Sequence, residues 1–259
     1  MSGIERALAH VPPFEPGHVW LAGAGPGDPC HLTVAVLAGL ARAEVIVYDA
    51  LVHADVLSLA DANAERIFAG KRGGKPSAVQ ADISATLIER ARAGRRVLRL
   101  KGGDPYIFGR GGEEALALTE AGVPFRVLPG VTAGLAGLAA AGIPATMRGL
   151  NKAVILATGH AAGTEEDLDW RALARTGQPI VVYMGLKALP VIVAELLAGG
   201  LDPAMPVAVV TAATTPDQRV LVAPLGEIVV EVERQELAAP AIIVIGEIVA
   251  MRRRLGGLT

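Results

Sequence analysis

A short apolar run at residues 97–100 leads directly into Lys101-Gly-Gly-Asp104-Pro-Tyr-Ile-Phe-Gly-Arg110-Gly-Gly-Glu113-Glu114. These residue types at this spacing suit the binding of a small ligand. Gly102 and Gly103 let backbone approach a bound group, Pro105 fixes the turn, and Asp104 offers an acceptor for a pair of hydroxyls. Arg110 presents a planar cationic fork of the kind that grips a carboxylate. Glu113 and Glu114 fall at the start of an expected helix, where the dipole favours acidic side chains.

Three other segments carry candidate chemistry. Gly23-Ala-Gly25-Pro26-Gly27-Asp28 follows one strand and Asp49 ends the next, an arrangement that superficially matches a dinucleotide fingerprint. The match fails in detail. An acid occupies the third glycine position, and Pro26 has no N–H to give a phosphate, so a nicotinamide-linked oxidoreductase becomes a minor alternative and a ligand without phosphate is preferred. Gly70-Lys71-Arg72-Gly-Gly-Lys75-Pro76 reads equally as an anion-binding mouth or as an exposed loop of solvated cations. Among Arg90, Arg92, Arg95, Arg96, Arg99 and Lys101, most read as a solvated helix end. Arg99 and Lys101 share one face near the carboxyl end of a strand, the edge where open α/β sheets bind ligands, and are given more weight there. His160 has no partner at metal spacing, and Met184, Ala213 and Ala241 read from residue type alone as core.

These residues need a frame to hold them. Strand-length apolar runs at 18–23, 44–48, 65–69, 96–100 and 125–128 alternate with helical segments at 32–43, 53–60, 77–93, 113–121 and 132–141, which predicts α/β architecture. The helix after residue 77 has Ser77 and Gln80 as a capping box and Gly94 as its stop. A second α/β block has expected strands at 153–158, 179–184, 207–211, 219–223 and 241–245, with helices at 188–198 and 226–235. The polar stretch from Met147 to Lys152 is the expected joint. The division is therefore a loose leader at 1–17, an N-terminal domain at 18–147 and a C-terminal domain at 148–259.

At 259 residues and 52% hydrophobic, the chain can bury a real core. A formal charge of -2 gives no general attraction to nucleic acid, although local cations can still hold an acidic small molecule. One cysteine, Cys30, excludes an intrachain disulfide and accords with a reducing cytoplasm; no Cys/His spacing matches a metal site. The most apolar stretch, 131–145, is broken by Gly134, Gly137, Gly142 and Pro144, so no membrane span is expected.

Taken in order, Gly23-Ala-Gly-Pro-Gly27, Tyr48-Asp49, Gly70-Lys-Arg72, Leu100-Lys-Gly-Gly-Asp-Pro105, Phe108-Gly-Arg-Gly-Gly-Glu-Glu114, Pro129-Gly130, Gly142-Ile-Pro144, Thr158-Gly-His160 and Tyr183-Met-Gly185 resemble the uroporphyrinogen-III C-methyltransferase family over about 18–250. The Gly-Ala-Gly-Pro-Gly and Gly-Asp-Pro pieces also occur in the wider tetrapyrrole methyltransferase superfamily, and residues 70–77 are similar to members serving cobalamin synthesis. The resemblance implies two α/β domains with the site in the cleft between them, a homodimer, and methylation of uroporphyrinogen III at two ring carbons. The donor would be S-adenosylmethionine, and the products precorrin-2 and S-adenosylhomocysteine. It assigns cofactor contacts to Pro26, Gly102, Gly103, Asp104, Ile107, Thr132, Ala133, Met184, Ala213 and Ala241. Asp49, Lys71, Arg110 and Glu113 match positions of proton handling or substrate orientation. Arginine is a poor base, which favours Arg110 as carboxylate anchor and leaves Asp49 or Glu113 as proton acceptor, with Lys71 as an anchor or a proton donor. Two positions depart from many relatives, Ala50 in place of Arg and Met147 in place of His, and neither touches the cofactor set. The alternatives are a methyltransferase acting on a later corrin precursor and a non-catalytic tetrapyrrole-binding module.

Overall fold

The computed structural model describes residues 2–70, 80–160, 162–164 and 167–256. Lys71, Ser77 and the remainder of the loop at 71–79 lie outside the described residues, and with them the capping box expected at the start of the third helical segment. The chain forms two compact units, Met1–Thr132 and Ala133–Thr259.

In the first unit the described elements are α1 (Gly3–Leu8), β1 (Val19–Gly23), α2 (Val34–Arg42), β2 (Val45–Tyr48), α3 (Ala54–Ser58), β3 (Glu65–Phe68), α4 (Gln80–Arg92), β4 (Val97–Lys101), α5 (Gly111–Glu120) and β5 (Phe125–Leu128). The five strands make one parallel sheet in the order β3-β2-β4-β1-β5. Period-two alternation sends successive side chains to opposite faces. Trp20, Ala22, Ile46, Leu98 and Leu100 pack with α2 and α3, while Val19, Leu21, Val45, Val47 and Val97 pack with α4 and α5. With both faces covered, these strands read as continuous apolar runs, which made them legible in the sequence. Arg99 and Lys101 continue the Val97 face and so point toward the α4 and α5 side.

The stretch before β1 is more ordered than the loose leader expected from its composition. Ser2 and Glu5 form a complete capping box on α1. Phe14 is buried and stacks on Trp20 with ring centroids 4.0 Å apart, a contact contributing about 0.5–1.5 kcal/mol beyond its burial.

In the second unit are α6 (Ala133–Ala140), β6 (Ile155–Thr158), α7 (Trp170–Arg175), β7 (Ile180–Tyr183), α8 (Leu189–Ala198), β8 (Pro206–Thr211), β9 (Arg219–Pro224), α9 (Ile228–Arg234), β10 (Ala241–Ile245) and α10 (Met251–Arg254). The sheet order is β6-β7-β10-β8-β9; only the β6–β7 pair is parallel. One face carries a core of Trp170, Leu189, Ile192, Leu196 and Ile228 against Val182, Val209 and Ile243.

Helix α6 packs on the other face. Its small residues permit this: a Cβ on Gly137 would lie 3.4 Å from Ala213, and one on Gly134 would strike the Tyr183 hydroxyl at 2.1 Å. The division between the units accordingly falls before α6, upstream of the joint expected at 147–152. That polar stretch is a turn tied by Asn151, which accepts from Met147 N–H and donates to the carbonyls of Ala145 and Ala153.

Candidate functional site

In the first unit the carboxyl ends of β1, β2, β4 and β5 bring most of the expected site residues to one edge of the sheet. Three glycines meet there back to back. A Cβ on Gly130 would lie 2.2 Å from the Gly103 carbonyl oxygen, and one on Gly23 would lie 2.5 Å from the same atom. Gly25 and Gly103 bridge the two loops, with Gly103 N–H donating to Gly25 O at 2.7 Å and Gly25 N–H returning to Gly103 O at 3.1 Å. Gly103 therefore serves backbone-to-backbone packing. Gly102 faces Leu51, whose Cβ would be 2.6 Å from an added Cβ.

The loop after β1 has few amides left for a phosphate. Ala24 N–H is spent on Lys101 O, Gly25 N–H on Gly103 O and Cys30 N–H on Asp28 Oδ1, and Pro26 has none. This geometry supports the preference for a ligand without phosphate.

Asp104 ties two loops together. Its Oδ1 accepts from Tyr106 N–H at 2.8 Å and its Oδ2 from Gly130 N–H at 3.0 Å. Each oxygen retains further acceptor capacity, so the orientation imposed by these amides is compatible with a ligand hydroxyl. Ile107 lies further along the same loop, and its N–H reaches the Asp104 carbonyl.

Phe108 and Arg110 both adopt left-handed backbone, φ 52° and 59°, conformations that cost a non-glycine residue about 1–3 kcal/mol and concentrate at functional sites. Between them Gly109 lies over the stem of Lys101: a Cβ there would be 3.3 Å from Lys101 Cε. Arg110 is exposed at the N-terminus of α5 and clasps Glu113 through Nε at 2.9 Å and Nη2 at 2.6 Å. That hydrogen bonding holds the Glu113 carboxyl below the usual range and the Arg110 guanidinium above its own, so both stay charged.

Glu114, one residue on, behaves differently. It is fully buried, and its Oε1 accepts from Arg99 Nε, Lys101 Nζ and Gln80 Nε2, each at 3.0 Å. Arg99 also donates to the carbonyls of Val47 and Leu100 and lies 3.8 Å from Asp49 Oδ2. Asp49 is partly exposed, and its Oδ1 accepts from Leu51 N–H. Arg99 and Lys101 are thus consumed inside the protein, which corrects their expected place at the ligand edge. Burial and the neighbouring Arg99 push the Lys101 ammonium below the usual lysine range, with Glu114 opposing that shift. The signal for Glu114 was present: two cations two residues apart on an otherwise apolar strand require a buried acid.

The second unit gathers its own set at one sheet edge. Met184 follows β7, Ala213 follows β8, and antiparallel β10 begins there at Ala241, paired with Thr211. Met184 has φ 53° and is 53% exposed, so it is not the core residue its type suggested. Ala212 and Thr214, either side of Ala213, are also left-handed. The Tyr183 hydroxyl accepts from Gly134 N–H at 3.0 Å and thereby fixes the start of α6, where Ala133 lies next to Thr132 in the chain. Lys71 is outside the described residues.

Two α/β units, each with small and strained residues at one sheet edge, carry the pattern of a family of methyl-transferring enzymes. The chain belongs to the tetrapyrrole (corrin/porphyrin) methylases, whose family model matches residues 18–229. It is 53% identical to a uroporphyrinogen-III C-methyltransferase of Sinorhizobium sp, over 97% of this chain and 91% of the relative. It is 48% identical to a siroheme synthase of Hahella chejuensis over 92% of this chain, and spans about half of that relative's length, 51%. Among solved structures, the uroporphyrin-III C-methyl transferase from Thermus thermophilus complexed with S-adenyl homocysteine superposes with a TM-score of 0.78 at 42% identity, covering 90% of this chain and 99% of the other.

Proposed function

We propose that this chain transfers methyl groups from S-adenosylmethionine to two ring carbons of uroporphyrinogen III, releasing S-adenosylhomocysteine and forming precorrin-2. The substrate is that of the Sinorhizobium relative, and the cofactor is the donor whose demethylated product occupies the Thermus crystal structure. The observation that carries the proposal is the Arg110 loop: an exposed guanidinium, set on left-handed backbone and oriented by Glu113, suits a substrate rich in carboxylates.

The small residues suit the cofactor. Its adenosine and amino-acid parts need little charge neutralisation, and Pro26, Gly102, Gly103, Asp104, Ile107, Thr132, Ala133, Met184, Ala213 and Ala241 are the residues proposed to hold it. When bound, it supplies an electrophilic sulfonium methyl. The chain's own residues then position the ring carbon and remove the proton that methylation makes acidic. Arg110 holds a substrate carboxylate, Glu113 orients Arg110, and Asp49 accepts the proton. Glu113 is the poorer acceptor because both of its oxygens are engaged by Arg110. Lys71 is proposed as a second anchor. Alignment is the larger contribution, about 7–11 kcal/mol, against about 10²–10⁴-fold in rate for a general base.

A homodimer in the cytoplasm completes the proposal. No helix among the described residues is long and apolar enough to cross a membrane. Incubation with uroporphyrinogen III and methyl-labelled S-adenosylmethionine, followed by mass analysis, tests the activity. Two added methyl groups are expected. Methylation of a later corrin precursor alone would move the chain to the neighbouring activity, and no methylation of either would leave a binding module.

A further inference from the structure

The buried ion cluster beneath the Arg110 loop has an uneven charge arrangement. Arg99 and Lys101 are 2% and 3% exposed, and the fully buried Glu114 gives one oxygen, Oε1, to both of them and to Gln80. Its Oε2 is buried with no hydrogen-bond partner among the described residues. Asp49 is the second carboxylate of the group, separated from Arg99 by 3.8 Å. Among the described residues two cations thus face two carboxylates, and the buried one holds both cations at hydrogen-bond distance while Asp49 is left with a long, weak contact.

We propose that Glu114 is a positioning residue for methyl transfer: by drawing Arg99 and Lys101 onto itself it leaves Asp49 free to take up a proton, and it fixes the floor under Arg110. The second effect runs through Lys101, whose Nζ is held by Glu114 and whose Cε lies under Gly109. The first follows from electrostatics. A cation within about 4–6 Å lowers a carboxyl pKa by about 1–3 units, so a carboxylate facing two unshared cations would be a much weaker base. Among the described residues, the charged groups against Asp49 are Arg99 and Lys101 on β4, with Glu114 on α5 behind them. Gln80 on α4 is uncharged, and the cations Lys71, Arg72 and Lys75 lie outside the described residues.

The inference rests on Asp49 as the proton acceptor, and its test separates the two ideas. The ionisation of Asp49 is read by carboxyl ¹³C NMR, assigned through the signal lost in Asp49→Asn, and in parallel by the acidic limb of kcat/KM. Glu114→Gln leaves both cations facing Asp49 without their buried partner, so both readouts move to lower pH. Lys101→Met removes one cation, so both move to higher pH. The double variant Glu114→Gln/Lys101→Met restores the balance and returns both toward the wild type. It also keeps the idea open to refutation if Glu114→Gln, with its unbalanced buried cations, does not fold.

A purely structural Glu114 would change stability without these opposed shifts. An Asp49 NMR titration that is the same in wild type, Lys101→Met and the double variant overturns the positioning role. NMR shifts of the expected signs with an unmoved kcat/KM limb uphold the electrostatic coupling and remove Asp49 as acceptor. Absence of uroporphyrinogen III methylation by the wild type removes the proposed substrate, and the NMR arm still decides whether Glu114 controls Asp49.

Discussion

Arg110 and Glu113 form a self-contained clasp, two hydrogen bonds of 2.9 and 2.6 Å across a single turn, between side chains that are both more than half exposed. An exposed ion pair adds little stability, about 0–1 kcal/mol, so the pair is better explained by what it aims than by what it holds together. Glu113 engages Nε and Nη2 of the fork and so fixes its direction. The left-handed φ of Arg110 sets where the side chain departs.

Arg110→Lys is expected to retain S-adenosylhomocysteine binding and to lose turnover of uroporphyrinogen III by about tenfold or more, because a point charge cannot fix the macrocycle's orientation as a fork does. Single-turnover methylation checks this. A rate equal to the wild type would make Arg110 a structural residue.

Asp104 connects the β4 loop to Gly130 at the end of β5, so its loss frees two amides and unties two loops. Asp104→Ala is expected to weaken S-adenosylhomocysteine binding far more than substrate binding and to lower stability by about 1–3 kcal/mol. Asp104→Asn, which keeps one acceptor oxygen, should fall between. Calorimetry and denaturant unfolding measure the two effects, and unchanged cofactor affinity in Asp104→Ala would refute a role at the cofactor.

Glycine substitutions should divide by geometry rather than by proximity to the site. Gly130→Ala places a Cβ 2.2 Å from a backbone oxygen that cannot move alone, and a loss of about 3 kcal/mol or more is expected. Gly112, in the first turn of α5, has nothing within 4 Å of an added Cβ. Gly112→Ala should be neutral or stabilising by up to about 1 kcal/mol. Equal stability losses in the two variants would contradict the close approach of Gly23, Gly103 and Gly130.

The elements that the sequence displayed best were those whose physics is local. The bounds of β5 and β10 match their apolar runs, and Gly94 ends the helical pattern of α4 as its type and position predict. Among the shorter helices, α3 was expected at 53–60 and α7 was not. Helix α7 spans Trp170–Arg175 and depends on the Asp169 cap and on burial of Trp170, neither of which makes a periodic pattern in so few residues. The largest omission at the site was the difference between Glu113 and Glu114. They are identical in type and adjacent, yet about 100° of helix rotation sends one to solvent and the other onto Arg99 and Lys101. Similarly, the small residues of α6 announced close packing without naming the surface, which is the β7–β10 side of the second sheet. Side-chain type was legible, and the partner was not.

Cys30 offers a pH-dependent test of the loop that follows Pro26. The thiol is exposed, and Asp28 raises its pKa, chiefly by accepting a hydrogen bond from it and then by like-charge repulsion of the thiolate. A raised thiol pKa means less thiolate at neutral pH, so alkylation should be slow near pH 7 and its rate-versus-pH curve should be displaced to higher pH than that of an unperturbed cysteine. Asp28→Asn removes the negative charge, lowers the thiol pKa and moves the curve to lower pH, so labelling at pH 8 becomes faster. S-adenosylhomocysteine bound beside Pro26 should slow labelling in both proteins without moving the midpoint of the Asp28→Asn curve back. Stopped labelling with iodoacetamide followed by mass analysis measures each rate. Coincident curves for wild type and Asp28→Asn would show that Asp28 does not control the thiol, while labelling insensitive to S-adenosylhomocysteine would place the cofactor away from the Pro26 loop.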